Sequence, residues 1–321
     1  MALTLVVTGA SGFIGRACVE AALRRGHNVR ALVRRETAFF PPGVEVLPCD
    51  LAADITTLRS ALIGADAMVH AAAAMSGDPA RTQRDTLDAT RNVIATLTHQ
   101  TPQTRLVLVS SIAVYDAMAR NIDEDTPLDP APRDRDGYAR SKLAQEALLA
   151  DTGLAGWIAR PGAVFGPHRL WNAHLGRRFG PLLLALGNTA QIPVIGLDAC
   201  AEALVLAAET PPPGGGLRPV NLVESDLPDA RRYLKALGPS APRLKVPLPW
   251  QAFAAIGRGL GHIPAVHGHL PDLLQPRTLE FRFGAKRYTN VRAQTELHWQ
   301  SRLPFENALH AAVTRSEASD S

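Results

Sequence analysis

Short runs of β-branched and aliphatic residues recur along the first half of the chain, and polar stretches with helical periodicity separate them. The runs fall at 3–7, 29–33, 44–47, 67–70, 105–110 and 157–160, and the amphipathic stretches at about 13–26, 54–63, 80–100 and 138–152. Strand, helix and strand in that order predict a parallel sheet with helices on both faces. The unbroken apolarity of Leu106-Val-Leu-Val109 suits a strand buried on both sides. After residue 166 the pattern loosens. Residues 211–216 read as a Pro/Gly loop, and 219–223 as a further strand returning to the sheet.

Composition narrows the picture. With 321 residues, 46% of them hydrophobic and 20% charged, the chain has the apolar mass for one large or two modest globular domains. A net charge of +4 spread over scattered arginines is a mild anion preference and not a nucleic-acid footprint. Cys18, Cys49 and Cys200 lie far apart without paired spacing, so neither a disulfide framework nor a zinc site is expected. The N-terminal apolar run leads straight into a glycine turn, without the basic region or cleavage site of a signal peptide. The apolar stretch 246–255 is broken by prolines and too short to span a membrane. A cytoplasmic protein with no nucleic-acid or membrane partner is expected.

Two motifs carry chemistry. In Thr8-Gly-Ala-Ser-Gly-Phe-Ile-Gly15 the glycines follow the first strand and open a helix. There they permit a tight turn, close approach to a pyrophosphate, and close packing of helix on strand. Downstream, Tyr138-Ala-Arg-Ser-Lys142 sets a phenol and an ammonium one helical turn apart, with Cβ atoms roughly 5–6 Å from each other. Using the tyrosine as acid and base near neutral pH means lowering its pKa from about 10 by ~3 units, and a fixed lysine can supply much of that. Cofactor choice is expected from the end of the second strand. It reads Ala31-Leu-Val-Arg34-Arg35, so Arg34 stands where a carboxylate would bind the ribose of NAD and can instead clamp the 2′-phosphate of NADP. The other reading leaves both arginines solvated and gives the ribose to Glu36. Asp50 suits either an adenine contact or the N-cap of the helix near residue 54.

Together these residues resemble the extended short-chain dehydrogenase/reductase family of the NAD(P)-dependent epimerase/dehydratase type, and within it the dihydroflavonol-reductase and 3β-hydroxysteroid-dehydrogenase branch. The resemblance rests on 8–15, Asp50-Leu51, His70-Ala-Ala-Ala73, Ser110-Ser-Ile-Ala-Val-Tyr115, Tyr138 to Lys142 and Arg160-Pro-Gly-Ala-Val-Phe-Gly-Pro167. Tyr288-Thr-Asn-Val-Arg-Ala293 and Glu296-Leu-His-Trp299 are similar to its closing segment. It implies an α/β fold, a Rossmann-type doubly wound parallel sheet with a smaller C-terminal substrate lobe. The dinucleotide-binding part would be 1–166 with returning elements near 191–223, and the lobe 167–190 and 224–321. It implies that Ser111 holds the substrate oxygen, Tyr138 exchanges the proton, and Lys142 lowers the tyrosine pKa and binds the nicotinamide ribose. Gly9, Ser11, Gly12, Phe13, Ile14, Gly15, Arg34, Asp50 and Leu51 would hold the cofactor, with Ala71, Ala72 and Ala73 as a small-residue wall. Pro161, Gly162, Ala163 and Val164 would face the nicotinamide. No metal is expected, and His70, His168 and His174 are read as structural.

The chain also departs from the pattern. Thr86 stands where the family usually has an asparagine, with Asn92 at a later polar position of that helix; Asp116 replaces a glycine and Phe165 a tyrosine. Ile112-Ala113 occupies the place of the Asp-Glu pair that dehydratases of the family use, which speaks against dehydration. The expected activity is carbonyl–alcohol interconversion on a small-molecule substrate with NADP, NAD being less favoured. The alternatives are a nucleotide-sugar epimerase and a non-catalytic NADP-binding sensor. The segment 168–178 supplies arginines for a substrate anion, and Leu182 to Leu186 reads as helix core or as the lining of an apolar pocket. A homodimer through the helices near 80–100 and 138–152 is a family-level expectation.

Overall fold

The computed structural model describes residues 1–35, 40–74, 78–101, 103–187, 190–261 and 270–320. Glu36, the other ribose candidate, lies outside them. In chain order the elements are β1 (Thr4–Thr8), α1 (Phe13–Arg24), β2 (Asn28–Val33), β3 (Val44–Pro48), α2 (Ile55–Leu62), β4 (Ala67–His70), α3 (Pro79–Thr82), a π-helical turn (Gln83–Asp88), α4 (Ala89–Gln100) and β5 (Arg105–Val109). There follow β6 (Asn121–Ile122), α5 (Gly137–Ala147), β7 (Gly156–Pro161), β8 (Ala163–Phe165), β9 (Gly176–Phe179), β10 (Leu182–Ala185), β11 (Val194–Gly196), α6 (Leu197–Glu209) and β12 (Leu217–Leu222). The last are α7 (Ala230–Ala236), β13 (Leu244–Pro247), α8 (Trp250–Gly261), α9 (Pro276–Phe283), β14 (Arg287–Tyr288), α10 (Val291–Glu296) and α11 (Phe305–Asp320).

Seven strands form one parallel sheet in the order β12-β7-β5-β4-β1-β2-β3. The order reverses between β1 and β4, so their carboxyl ends open the crevice where ligands of such sheets bind. Side chains alternate between the faces. Leu5, Val7, Val107 and Val109 pack with Ala17, Cys18, Ala21, Ala203, Leu204 and Ala207 of α1 and α6. Val6, Leu106 and Leu108 pack on the other face with Leu58, Leu62, Val93 and Leu97 of α2 and α4. A third cluster, with Tyr115, Leu175, Leu183, Tyr233, Phe281 and Phe305, ties the elements beyond the sheet together.

Two expectations change. The helix foreseen over 138–152 ends at Ala147. Leu182–Ala185 is a strand, β10, paired with β9 and β13, and not helix core; Gly180 at φ +54 makes the turn from β9 that a helix would not contain. Nor does β10 line the cavity beside the Ser/Tyr/Lys residues.

Candidate active site

Two cavities that share Gly9, Gly12, Ala71 and Ala73 lie along the carboxyl ends of the strands. The smaller, about 190 Å³, takes in Ser11, Arg34, Asp50, Leu51 and Ala72. The larger, about 460 Å³, takes in Phe13, Ile14, Gly15, Ser111, Tyr138, Lys142, Pro161, Gly162, Ala163 and Val164. Every residue assigned to the site from sequence therefore lines one cavity or the other.

The glycine turn is backbone-on-backbone packing. Gly9 adopts φ +61, and a Cβ there would stand 2.9 Å from the Ala72 backbone; a Cβ on Gly15 would stand 2.2 Å from the Gly9 carbonyl oxygen. The loop can thus lie on the 71–72 segment and on the first turn of α1 only as glycine.

A buried hydrogen-bonded chain joins this loop to α5. Thr90 Oγ1 donates to the Thr86 carbonyl (2.6 Å), so it accepts from Gln145 Nε2 (2.9 Å) and from His70 Nε2 (3.0 Å). His70 Nδ1 is then the acceptor of the Thr8 hydroxyl (2.8 Å), whose oxygen accepts from the Ala72 amide (3.3 Å). This fixes one neutral tautomer, in keeping with a pKa pushed down to about 3 by burial and by the charge of Lys142. Lys142 Nζ closes the chain, donating to Gln145 Oε1 (2.9 Å) and to the Val109 carbonyl (2.7 Å). Burial lowers its pKa to about 8 against the opposing charge of Glu146. Thr86, the substituted position, sits in the π-helical turn, where its Oγ1 accepts from the Ala74 amide at 2.8 Å. The widened turn and this bond link that helix to the end of the alanine wall.

Tyr138 keeps 39% of its surface open. Its pKa is nevertheless raised: burial contributes most, Asp136 adds to it, and contact with the Ser111 hydroxyl opposes it. The expectation that Lys142 would lower the phenol pKa is not met in this state. The one-turn spacing holds, but both hydrogen bonds of the ammonium go to Val109 and Gln145. Ser111 accepts from the Ala113 amide at 3.2 Å, which leaves its own hydrogen for another acceptor.

The rest of the larger cavity is lined by part of the 168–178 segment expected to meet substrate and by residues to which sequence reasoning gave no role. Asp136 caps α5 through the Ala139 amide (2.8 Å) and is gripped from α9 by Thr278 Oγ1 (2.9 Å) and Arg282 (2.8 Å). Arg135 is buried, pairs with Asp129 at 2.6 Å, donates to the Tyr115 and Ala113 carbonyls, and lies over the Phe281 ring. Burial alone would raise the Asp129 pKa, but the Ala131 amide, Arg135 and Arg277 hold it low. Below α5, Glu146 takes a bidentate pair from Arg160 (2.6 and 3.0 Å) and the Ser110 hydroxyl. His174 Nδ1 bonds Asn172 Oδ1 at 2.8 Å and must donate, because that oxygen only accepts. Burial and Arg282 push the His174 pKa down to about 3, so Nε2 is a bare lone pair. Among the described residues, neither His174 Nε2 nor Asn172 Nδ2 has a partner. An Asp directly before Gly137-Tyr138 is a legible helix-start signal; Asn172 and His174 fall within the 168–178 segment expected to meet substrate, although His174 is read as structural, and nothing local marks Phe281.

In the smaller cavity the outcome differs from the simple arginine reading. Arg34 Nη1 bonds Asp85 Oδ2 at 2.8 Å, and Arg84 reaches both Asp85 (2.7 Å) and Asp50. A carboxylate does stand beside Arg34, brought by the π-helical turn and not by the end of β2. The cap of α2 is Asp54, which accepts from the Thr57 amide, so Asp50 is not spent on that role.

The model of the NAD dependent epimerase/dehydratase family matches residues 5–221. The chain belongs to that family. Among curated members, the N-acetyl-alpha-D-glucosaminyl-diphospho-ditrans,octacis-undecaprenol 4-epimerase of Escherichia coli O157:H7 is 30% identical over 179 residues, 53% of this chain and 51% of the relative. The ceramide reductase of Caulobacter vibrioides is 31% identical over 217 residues, 64% and 61% of the two chains. The match thus spans only about half and three-fifths of these relatives. The structure of the Thermus thermophilus UDP-glucose 4-epimerase complexed with NAD superposes at TM-score 0.71 over 99% of this chain and 100% of the other, at 21% identity. Epimerases and reductases thus both occur among this family member's relatives.

Proposed function

We propose that this chain is an NADP-dependent oxidoreductase that interconverts a carbonyl and an alcohol through Ser111, Tyr138 and Lys142. The observation that carries the reading is that these three side chains line one cavity together with Gly9, Gly12 and Ala73. A dinucleotide fits the residues present: the loop has no Cβ at Gly9 or Gly12, and the N-terminus of the 12-residue α1 opens onto it. When bound, the nicotinamide supplies or accepts the hydride. Tyr138, protonated at neutral pH by its raised pKa, is set to donate to the substrate oxygen in the reducing direction. Ser111 offers a second hydrogen bond to that oxygen, where negative charge develops. Lys142 keeps its ammonium below about pH 8 to hold ribose hydroxyls. His174 Nε2 and Asn172 Nδ2 offer an acceptor and a donor to polar groups of the substrate. Ile112, Trp171 and Phe281, which line the same cavity, suit an apolar substrate body; the relatives named for a ceramide and an undecaprenol-linked sugar act on molecules with long hydrocarbon chains.

NADP is the proposed cofactor because the exposed Arg34–Asp85 pair holds the arginine weakly. Such pairs contribute about 0–1 kcal/mol, while each charge-assisted bond to a 2′-phosphate contributes about 1.5–3 kcal/mol. A second reading, an epimerase that retains NAD, is favoured by Asp85, whose carboxylate could accept from a ribose hydroxyl. The test is a screen of aldehydes, aryl ketones, hydroxy-ketones and steroid-like alcohols by nicotinamide absorbance, with nucleotide sugars analysed for epimers. Net turnover that Tyr138→Phe lowers by about 10²–10⁴-fold, with NADP affinity nearly unchanged, is the expected result. Epimerisation without nicotinamide consumption would replace the reading with the second one. Tight NADP binding with no turnover in either panel would leave a sensor.

A further inference from the structure

We propose that Gln145 is a positioning residue of the active site: its amide, held in one orientation by Thr90, aims the Lys142 ammonium so that a single hydrogen is left for the cofactor ribose. The ammonium has three hydrogens to give. One goes to the Val109 carbonyl (2.7 Å) and one to Gln145 Oε1 (2.9 Å). Among the described residues it makes no other hydrogen bond, and Lys142 lines the larger cavity. Two fixed bonds on a tetrahedral ammonium fix the direction of its third hydrogen. Any residue at position 109 supplies a backbone carbonyl, so the side chain at 145 is the part of this arrangement that the sequence chooses.

Thr90 decides which end of the amide Lys142 meets. The Thr90 hydroxyl has one hydrogen, and it goes to the Thr86 carbonyl, four residues back (2.6 Å). Its oxygen can therefore only accept, from Gln145 Nε2 (2.9 Å) and from His70 Nε2 (3.0 Å). A Gln145 amide turned over would set its NH2 against the ammonium and its oxygen against an oxygen with no hydrogen to give. Thr90, Lys142 and Gln145 are all buried, so that orientation would leave polar groups unpaired away from water, which is costly. The helix supplies the spacing, because residues three apart on α5 are neighbours on its surface. The titratable groups that act on the ammonium are Glu146 on α5 and His70 on β4. Glu146 is committed to Arg160 of β7 and to the Ser110 hydroxyl, and His70 is neutral with its Nε2 hydrogen given to Thr90. The side-chain group bonded to the ammonium is thus the neutral Gln145 amide.

The ribose role rests on the redox reading, whereas the hold on the ammonium does not, and two measurements separate them. The chain has four lysines, at 142, 235, 245 and 286. Lys142 can therefore be titrated directly in the full chain by NMR of 13C-labelled lysine side chains, with Lys142→Arg assigning its signal. Gln145→Glu sets a carboxylate on the ammonium and should raise the Lys142 pKa by about one unit or more. Gln145→Met keeps the bulk, removes the acceptor and should lower it, because a hydrogen bond to the charged form favours that form. Thr90→Val frees the amide to turn over and should lower it too, while Thr90→Ser, which keeps the hydroxyl, should restore the wild-type value. NADPH affinity, followed by fluorescence over the same pH range, should fall on the alkaline side at a point that moves with the Lys142 pKa in each variant. Should Gln145→Glu fail to fold, Gln145→Met and Thr90→Ser carry the comparison. Identical Lys142 titration in wild type and the folded Gln145 variants would overturn the proposal. A Lys142 pKa that shifts while NADPH affinity keeps one pH dependence throughout would overturn the ribose role and count against the redox reading, leaving only the hold on the ammonium.

Discussion

The two walls of the larger cavity are held in different ways. The wall at the glycine turn is backbone: glycines whose missing Cβ atoms let Gly9, Ala72 and α1 touch, with the alanines of 71–73 beside them. The opposite wall is long side chains brought from distant parts of the chain. Arg135 meets Asp129 and Phe281, Asp136 meets Arg282 across 146 residues, and His174 leans on Asn172. A backbone wall announces itself in sequence because only glycine meets its geometry, and glycines at fixed spacing survive as a pattern. A side-chain wall depends on partners that no local spacing reveals.

The sharpest break between the walls should appear in stability. Arg135→Leu removes the main partner of a fully buried carboxylate, leaving Asp129 with Arg277, and such losses cost about 3–5 kcal/mol. Chemical denaturation should show that loss, whereas Arg302→Ala, at an exposed pair with Glu202, should move stability by less than about 0.5 kcal/mol. Equal small effects would mean that the far wall is not held by its buried charges.

Gly15→Ala probes the backbone wall. Its Cβ cannot occupy a point 2.2 Å from the Gly9 carbonyl, so α1 or the loop must shift, at an overpacking cost of about 1–3 kcal/mol. Dinucleotide affinity, read by fluorescence titration, should fall by about tenfold or more, and a substitution without effect would show that the loop is not a close-packed cradle.

Legibility follows the same division. The strands near 67–70 and 105–110 were evident because alternate side chains of a sheet covered on both faces are all apolar. Leu182 to Leu186 was misread because a short leucine run lacks period information, and the turn at Gly180 and the pairing with β13 decide its conformation. Asp85 escaped notice as the partner of Arg34 because 51 residues and a π-helical turn separate them in the chain. The spacing of Tyr138 and Lys142 was plain, but the direction of the ammonium was not: it is set by Val109 and Gln145, residues whose own motifs are silent.

That direction makes pH a further probe. His70 and His174 are neutral above their pKa values of about 3 and so cannot shape activity between pH 5 and 8. Lys142, lowered to about 8, loses its charge above that point, and Tyr138 stays protonated beyond its ordinary range. In the reducing direction kcat/KM should therefore be flat to about pH 8 and then fall by up to about tenfold per unit. Lys142→Arg, which keeps its charge, should move that fall upward. A profile centred near about 6.5 would point to a histidine instead.

The smallest effects lie where the two modes of construction meet, at Arg34 and Asp85, because both line the smaller cavity and neither supports the core. If Asp85 merely competes with a 2′-phosphate for Arg34, Asp85→Ala should strengthen NADP binding by up to about fivefold, the equivalent of an exposed pair of up to about 1 kcal/mol. Arg34→Ala should weaken NADP by about tenfold through the loss of a charge-assisted bond and leave NAD nearly unchanged. If Asp85 instead receives a ribose hydroxyl, the signs differ: Asp85→Ala weakens NAD, and Arg34→Ala frees the carboxylate and strengthens it. Titration of both dinucleotides against both variants therefore separates the two cofactor readings by direction alone, whatever the exact magnitudes, and Arg84, which bridges Asp85 to Asp50, can be added as Arg84→Ala to learn whether it guards the same carboxylate.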